Sequence, residues 1–250
     1  MNHAPVKAIA DVAVENNIFV ISDEIYEYLV YDGVKHTSIA SFNDKIKDLT
    51  IIINGVSKTY AMTGWRIGYT ASHPDIAKAM TSVQSHSTSN PNSIAQAATV
   101  AALNGPMDEL KTMIKAFDER RKYMAERINA VEGVSCLVPQ GAFYVMMNIK
   151  DLKGKTICGK LINTADDFAE IFLEKELVAV VPGTAFNCDT EAKSGSFRLN
   201  YSMPSDEDIV KGIGIPEAVT TFTLTPLTAV PSSVTAIVEC PIRSKRSRFS

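Results

Sequence analysis

The chain has 250 residues, of which 46% are hydrophobic, 21% charged and 8% aromatic, which excludes a disordered or fibrous protein and fits one large or two smaller globular domains. Its 25 lysines and arginines against 28 aspartates and glutamates leave a net charge of −3, too near neutral for a general nucleic-acid or membrane-surface binder. Cys136, Cys158, Cys188 and Cys240 and the histidines 3, 36, 73 and 86 are widely scattered, so neither a disulfide framework nor a metal site is spelled out and free thiols are expected.

In chain order, residues 5–17 place Val6, Ile9, Ala10, Ala13 and Val14 at helical spacing behind Pro5, a residue suited to a first helical turn. The helix runs into Ile18-Phe-Val-Ile-Ser22, whose unbroken apolar character predicts a strand covered on both faces. Similar stretches at Thr50-Ile-Ile-Ile-Asn54 and Arg66-Ile-Gly-Tyr-Thr-Ala71 predict two further strands of the same α/β sheet. Helices are expected at 74–85 and 94–103, the second stopped by Asn104-Gly105. Between Pro106 and Glu132 a helical period persists over many turns, long enough to bridge two domains.

Beyond Gly133 the texture changes to strand (142–149), helix (165–176), strand (177–181) and strand (196–202), as in a smaller α+β unit. Ser205-Asp-Glu-Asp208 reads as a capping box, but Gly212, Gly214 and Pro216 break the helix it opens. The expected organisation is therefore a larger α/β domain over 1–115, a smaller domain over 116–213 and an irregular or disordered tail over 214–250. The tail's Arg243, Lys245, Arg246 and Arg248 read as a solvated basic terminus in preference to a nucleic-acid patch. No apolar run reaches the roughly 20 residues that span a bilayer, and the start MNHAPVKAIAD lacks a basic segment followed by an apolar one, so a cytoplasmic location is expected.

Three groups able to hold a ligand sit at strand ends, where open α/β sheets bind small molecules: Asp23-Glu-Ile-Tyr26, Ser57-Lys58-Thr-Tyr60 and Arg66. Alone, each reads as a turn former or a solvated charge. Together, the strings ISDEIY, NGVSKTYAMTGWRIGY, VVPGTAF and SFRLNYS, in this order, resemble a class I pyridoxal-phosphate aminotransferase of fold type I over about residues 5–211, most similar to its aspartate aminotransferase branch.

The resemblance implies that Lys58 forms a Schiff base with the aldehyde of pyridoxal 5'-phosphate and later shuttles a proton, that Asp23 pairs with the ring nitrogen and that Tyr26 bonds the ring phenolate oxygen. Ser57 and Arg66 would hold the phosphate, and Arg198 would clamp the substrate α-carboxylate; the alternative for Arg198 is a surface arginine on an edge strand. Amino acids and 2-oxo acids, aspartate with 2-oxoglutarate first, are the implied substrates, and a homodimer the implied assembly, with the polar His86–Pro91 segment as a candidate contact with the partner. Trp65 and Tyr69 are expected to pack beside the lysine loop, and Gly141-Ala-Phe-Tyr144 to enter a strand of the smaller domain.

The family's N-P-x-x-P-x-G turn and the segment before it have no match here, so an incomplete large-domain sheet is expected, with exposed apolar surface and unpaired strand edges. Two further readings stay open: a non-catalytic remnant or half of a split enzyme, and a lyase or racemase of the same fold, since Lys58, Asp23 and Arg66 serve all of these.

Overall fold

A computed structural model describes residues 3–186 and 195–200. The expected capping box at 205–208, the end of the last strand and the 214–250 tail lie outside the described residues. Two compact units are present, one built from residues 3–116 with 140–142, the other from 117–139 with 143–186 and 195–200.

The first unit starts with α1 (His3–Glu15), which delivers the chain to β1 (Val20–Asp23). Ala10 and Ala13 of α1 pack with Ile39 and Ile46, flanked by Val6, Val14, Val20, Phe42 and Leu49. Ile9, at the rim of this stripe, stays exposed, so the buried face is narrower than the sequence spacing suggests. Between β1 and the next strand lies α2 (Asp44–Leu49), capped by Asn43, whose Oδ1 accepts from the Ile46 amide at 3.0 Å. This six-residue helix has no counterpart among the expected elements, because a single turn and a half shows no period.

β2 (Thr50–Gly55) pairs in parallel with β1, Val20 facing Thr50 and Asp23 facing Ile53. β3 (Gly68–Ala71) then pairs antiparallel with β2, giving the sheet order β1-β2-β3. The expectation that the first strand is covered on both faces is corrected. Val20 packs onto the α1–α2 cluster, but side chains alternate along a strand, so Ile21 points the other way and is 69% exposed; Ile18 and Phe19 are also exposed and precede the strand.

Helices α3 (Pro74–Ser87) and α4 (Ser93–Asn104) follow as expected. Asn92 caps α4 by accepting from the Ile94 and Ala95 amides at 2.9 and 3.1 Å. His86 and Ser87 belong to the end of α3, and the polar residues after them are exposed, with Ser89 in the left-handed region at φ 63°. The long helix α5 (Asp108–Asn129) then runs from the first unit into the second.

The second unit carries β4 (Ser135–Cys136), β5 (Tyr144–Asn148), a small hairpin of β6 (Thr156–Ile157) and β7 (Lys160–Leu161), α6 (Ala165–Glu176), β8 (Val181–Pro182) and β9 (Ser196–Asn200). Its sheet has the order β4-β5-β9-β8 with antiparallel neighbours, and α6 packs on β8 and β9. Phe117 of α5 meets Phe143 edge-on at 5.8 Å between centroids, and Phe168 meets Phe172 at 5.3 Å.

The strand expected at 177–181 reduces to its last residue. Leu177 adopts φ 58° and its amide returns to the Phe172 carbonyl, closing α6 where the chain must reverse before it can pair. Residues 140–142, expected to lead into the smaller domain, belong to the first unit: Gly141 bridges Val30, and the Ala142 carbonyl accepts from the Tyr31 hydroxyl at 2.5 Å. Among the described residues no helix is long and apolar enough to cross a membrane, and no group of three or more acidic, histidine or cysteine side chains is placed to hold a metal ion. Cys136 and Cys158 are free thiols.

Candidate active site

The parallel strands β1 and β2 end side by side, and both candidate segments of the first unit leave from there. Asp23 closes β1 with an exposed carboxylate whose Oδ1 accepts from the Ile25 amide at 3.1 Å, the usual way an aspartate starts a turn. The Glu24 amide donates to the Ile53 carbonyl at 2.8 Å, and the Glu27 and Leu29 amides donate to the Glu24 and Tyr26 carbonyls. These bonds wind Ile25–Tyr28 into a turn that starts at the strand end, and they fix where Tyr26 sits.

From β2 the chain makes an excursion over 56–67 and returns as β3. Gly55 and Gly68 face each other at the neck, and a Cβ on Gly55 would meet the Ile67 carbonyl oxygen at 2.8 Å, so the close approach requires glycine there. Just inside the neck, Val56 and Ile67 are buried against Ala95 of α4, with Tyr60 and Met62 packed alongside. The loop is thus folded over an apolar plug. Tyr60 and Met62 amides both donate to the Val56 carbonyl, at 3.2 and 3.4 Å.

On this frame the loop presents Ser57 and Lys58, both half-buried, and Arg66, which is exposed. The Lys58 Nζ lies 5.9 Å from the centroid of the Tyr26 ring, so the two sequence segments meet. Arg66 follows a 3-10 turn in the left-handed conformation, φ 56°, and its Nη1 donates to the Thr63 carbonyl at 3.0 Å. Below the sheet ends, Asn54 Nδ2 donates to Glu27 Oε1 at 2.8 Å. Burial pushes the Tyr60 and Tyr69 hydroxyls up in pKa, and the Glu27 carboxylate and neighbouring tyrosines push in the same direction, so this flank of the loop carries neutral phenols. Trp65 is 47% exposed and Tyr69 40% exposed; neither is the packing group expected from sequence, because Val56, Ile67 and Met62 fill that role.

Arg198 lies in the second unit, on β9, which is an interior strand between β5 and β8 and not an edge. Its guanidinium carbon is 4.2 Å from the Tyr144 ring centroid and 4.8 Å from that of Phe186. These two aromatic supports for Arg198 were not expected from sequence, although they lie within GAFY and VVPGTAF. Asp23, Tyr26, Ser57, Lys58 and Arg66 are brought to one end of one sheet.

A family model described as aminotransferase class I and II matches residues 1–213. The aspartate aminotransferase of Bacillus subtilis (strain 168) is 46% identical over 199 residues, covering 80% of this chain and 48% of that protein. Among solved structures, the aspartate aminotransferase from Rhizobium meliloti superimposes with a TM-score of 0.80 at 39% identity, covering 86% of this chain and 52% of the other. An aromatic aminotransferase from Pyrococcus horikoshii superimposes at 0.76 with 35% identity, covering 86% and 54%. The chain thus spans about half the length of the curated relatives it matches. A match this extensive, on a fold type I architecture that keeps a lysine loop and an acidic strand end together, places the chain in the class I and II aminotransferase family, whose aspartate aminotransferases use pyridoxal 5'-phosphate.

Proposed function

We propose that the chain carries the lysine, ring and phosphate sides of the cofactor site of a transaminase that moves the amino group of aspartate to 2-oxoglutarate. The observation that supports it is the meeting of Lys58 with Tyr26 at strand ends that also carry Asp23, Ser57 and Arg66. The donor set fits pyridoxal phosphate: one amine for an aldehyde, one exposed carboxylate for a pyridine nitrogen, one phenol for a phenolate oxygen, and a hydroxyl with a guanidinium for a phosphate. When bound, that group supplies an aldehyde for the amino group and a ring that takes up the electrons left as the Cα proton departs.

The residues then divide the work. Asp23 holds a proton on the ring nitrogen through its carboxylate, and Tyr26 donates from its hydroxyl to the ring oxygen. Ser57 and Arg66 would bind the phosphate through a hydroxyl and a guanidinium. The Lys58 amine would take the proton from the substrate Cα as a general base and return it on the way to product. Arg198 binds the α-carboxylate by paired N–H donors, with Tyr144 and Phe186 restricting its side chain. A homodimer and a cytoplasmic location belong to the same reading and rest on the family resemblance; sedimentation equilibrium and cell fractionation test them.

The direct test is loading of the purified chain with pyridoxal phosphate followed by borohydride reduction and mass spectrometry. A covalent adduct on the Lys58 peptide is expected, absent from Lys58→Ala; no adduct on the unaltered chain overturns the reading. Product analysis with aspartate, phenylalanine and alanine as amino donors separates transfer from elimination or racemisation. It also tests the preference for aspartate over the aromatic substrates named for the Pyrococcus horikoshii protein.

A further inference from the structure

One buried carboxylate beside the candidate site has no role in the scheme above. Along β1 the side chains alternate: Ile21 and Asp23 face the exposed side, Val20 and Ser22 the side covered by α1 and α2, and Glu24 continues that second set. Glu24 is 7% exposed. Burying a carboxylate is costly unless its oxygens are satisfied, and here they are. Oε1 accepts from the Ser22 hydroxyl at 3.0 Å and from the Ser38 hydroxyl at 2.8 Å, and Oε2 lies 3.0 Å from His36 Nε2.

These partners are not local decoration. Ser38 also caps the turn Ile39–Ser41, its Oγ accepting from the Ala40 amide at 3.3 Å, and Ile39 of that turn belongs to the core under α1 and α2. The Glu24 backbone, meanwhile, is bonded to Ile53 of β2 and starts the turn that bears Tyr26. Glu24 therefore ties the end of β1 and the first residues of that turn to the core of the unit. Asp23, its neighbour in sequence, points oppositely and gets its direction from the backbone that Glu24 holds.

We propose that Glu24, through Ser22, His36 and Ser38, is a positioning residue for the cofactor site: it fixes the backbone from which Asp23 reaches the ring nitrogen and Tyr26 the ring oxygen. This rests on the function proposed above. Glutamine at position 24 keeps an oxygen for both serines and offers an N–H to a neutral imidazole nitrogen, so it preserves the tie; alanine removes it and leaves two hydroxyls without their acceptor.

Cofactor titration of the 250-residue chain, followed by the absorption spectrum of the bound ring, tests the proposal. In Glu24→Ala the dissociation constant is expected to rise about tenfold, with the saturated spectrum shifted towards that of Asp23→Asn. Glu24→Gln is expected to stay within about twofold of the unaltered chain. Wild-type affinity and spectrum in Glu24→Ala overturn the proposal, as does a Glu24→Gln chain as weak as the alanine variant. If Glu24→Ala does not fold, Ser38→Ala and His36→Ala carry the same reading, and unchanged spectra in both overturn it. If the unaltered chain takes up no cofactor, the function itself fails. Amide hydrogen exchange at residues 23–27 then decides the structural tie: faster exchange in the alanine variants supports it and unchanged exchange overturns it.

Discussion

Arg121 is the largest fully buried side chain among the described residues, and its charge is tolerated only because every direction it points in is answered. Nε donates to Asp118 Oδ1 at 2.7 Å, Nη2 reaches the same oxygen, and Nη1 donates to the Pro139 carbonyl at 2.9 Å. Arg121→Ala removes one of the two cationic partners of a half-buried carboxylate and opens a void, so a loss of about 2–5 kcal/mol, mostly from the void, is expected by urea denaturation. Asp118 titrates below the usual carboxylate range because Lys122 and Arg121 donate to it, and Asp167 does so because the Asn163 and Thr164 amides donate to it. A folded pKa below the unfolded one means that the stabilisation is complete above about pH 3.9, the unfolded value, and is lost as pH falls through the lower folded values. Asp118→Asn and Asp167→Asn should therefore flatten the acid limb of a stability-versus-pH curve, and a limb as steep as that of the unaltered chain would contradict the assignment.

Helix α6 is bounded by two opposite kinds of end. Thr164 and Asp167 form a reciprocal capping box, with the Thr164 hydroxyl accepting from the Asp167 amide at 3.3 Å and Asp167 Oδ2 accepting from the Thr164 amide at 3.0 Å. Thr164→Ala should cost about 1 kcal/mol. Leu177, at the other end, is exposed and sits at φ 58°, so Leu177→Gly should gain about 0.5 kcal/mol, the relief of left-handed strain less the entropy of glycine. Thermal or urea midpoints of the two variants should move in opposite directions. The helix expected over 165–176 coincides with α6, whose capping box of Thr164 and Asp167 formed no part of that expectation; the strand after it was not legible, since residues 177–181 read as an apolar run whatever their φ angles. The same limit applies at β1, where four apolar residues in a row conceal which face is covered. The lysine loop was visible through the resemblance of the string NGVSKTYAMTGWRIGY to the family's lysine segment. The tie between Glu24, His36 and Ser38 was not, because 12 and 14 residues separate Glu24 from His36 and Ser38 and only the fold brings those side chains together.

The first unit exposes several large apolar side chains. Ile9 and Val12 of α1, Phe19 before β1 and Ile21 within it are all exposed. Exposed apolar strands with an unpaired edge are templates for association. Light scattering per unit mass of the purified chain should therefore rise with concentration, and Ile21→Lys should lower it without changing the unfolding free energy in urea by more than about 0.5 kcal/mol. A concentration-independent signal in the unaltered chain would count against this reading. The neck at Gly55 and Gly68 has a different kind of consequence, one of chain statistics. Residues 56–67 are gathered into a closed ring by the pairing of β2 with β3. Bringing distant points of a chain together costs conformational entropy that grows by only about 0.6 kcal/mol per doubling of length, and here the sheet has already imposed that restriction. Ser57 and Arg66, near the two mouths of the ring, are confined before any ligand arrives. An anion that engages both meets a site whose disorder was removed during folding, so more of its contact energy is left to appear as affinity.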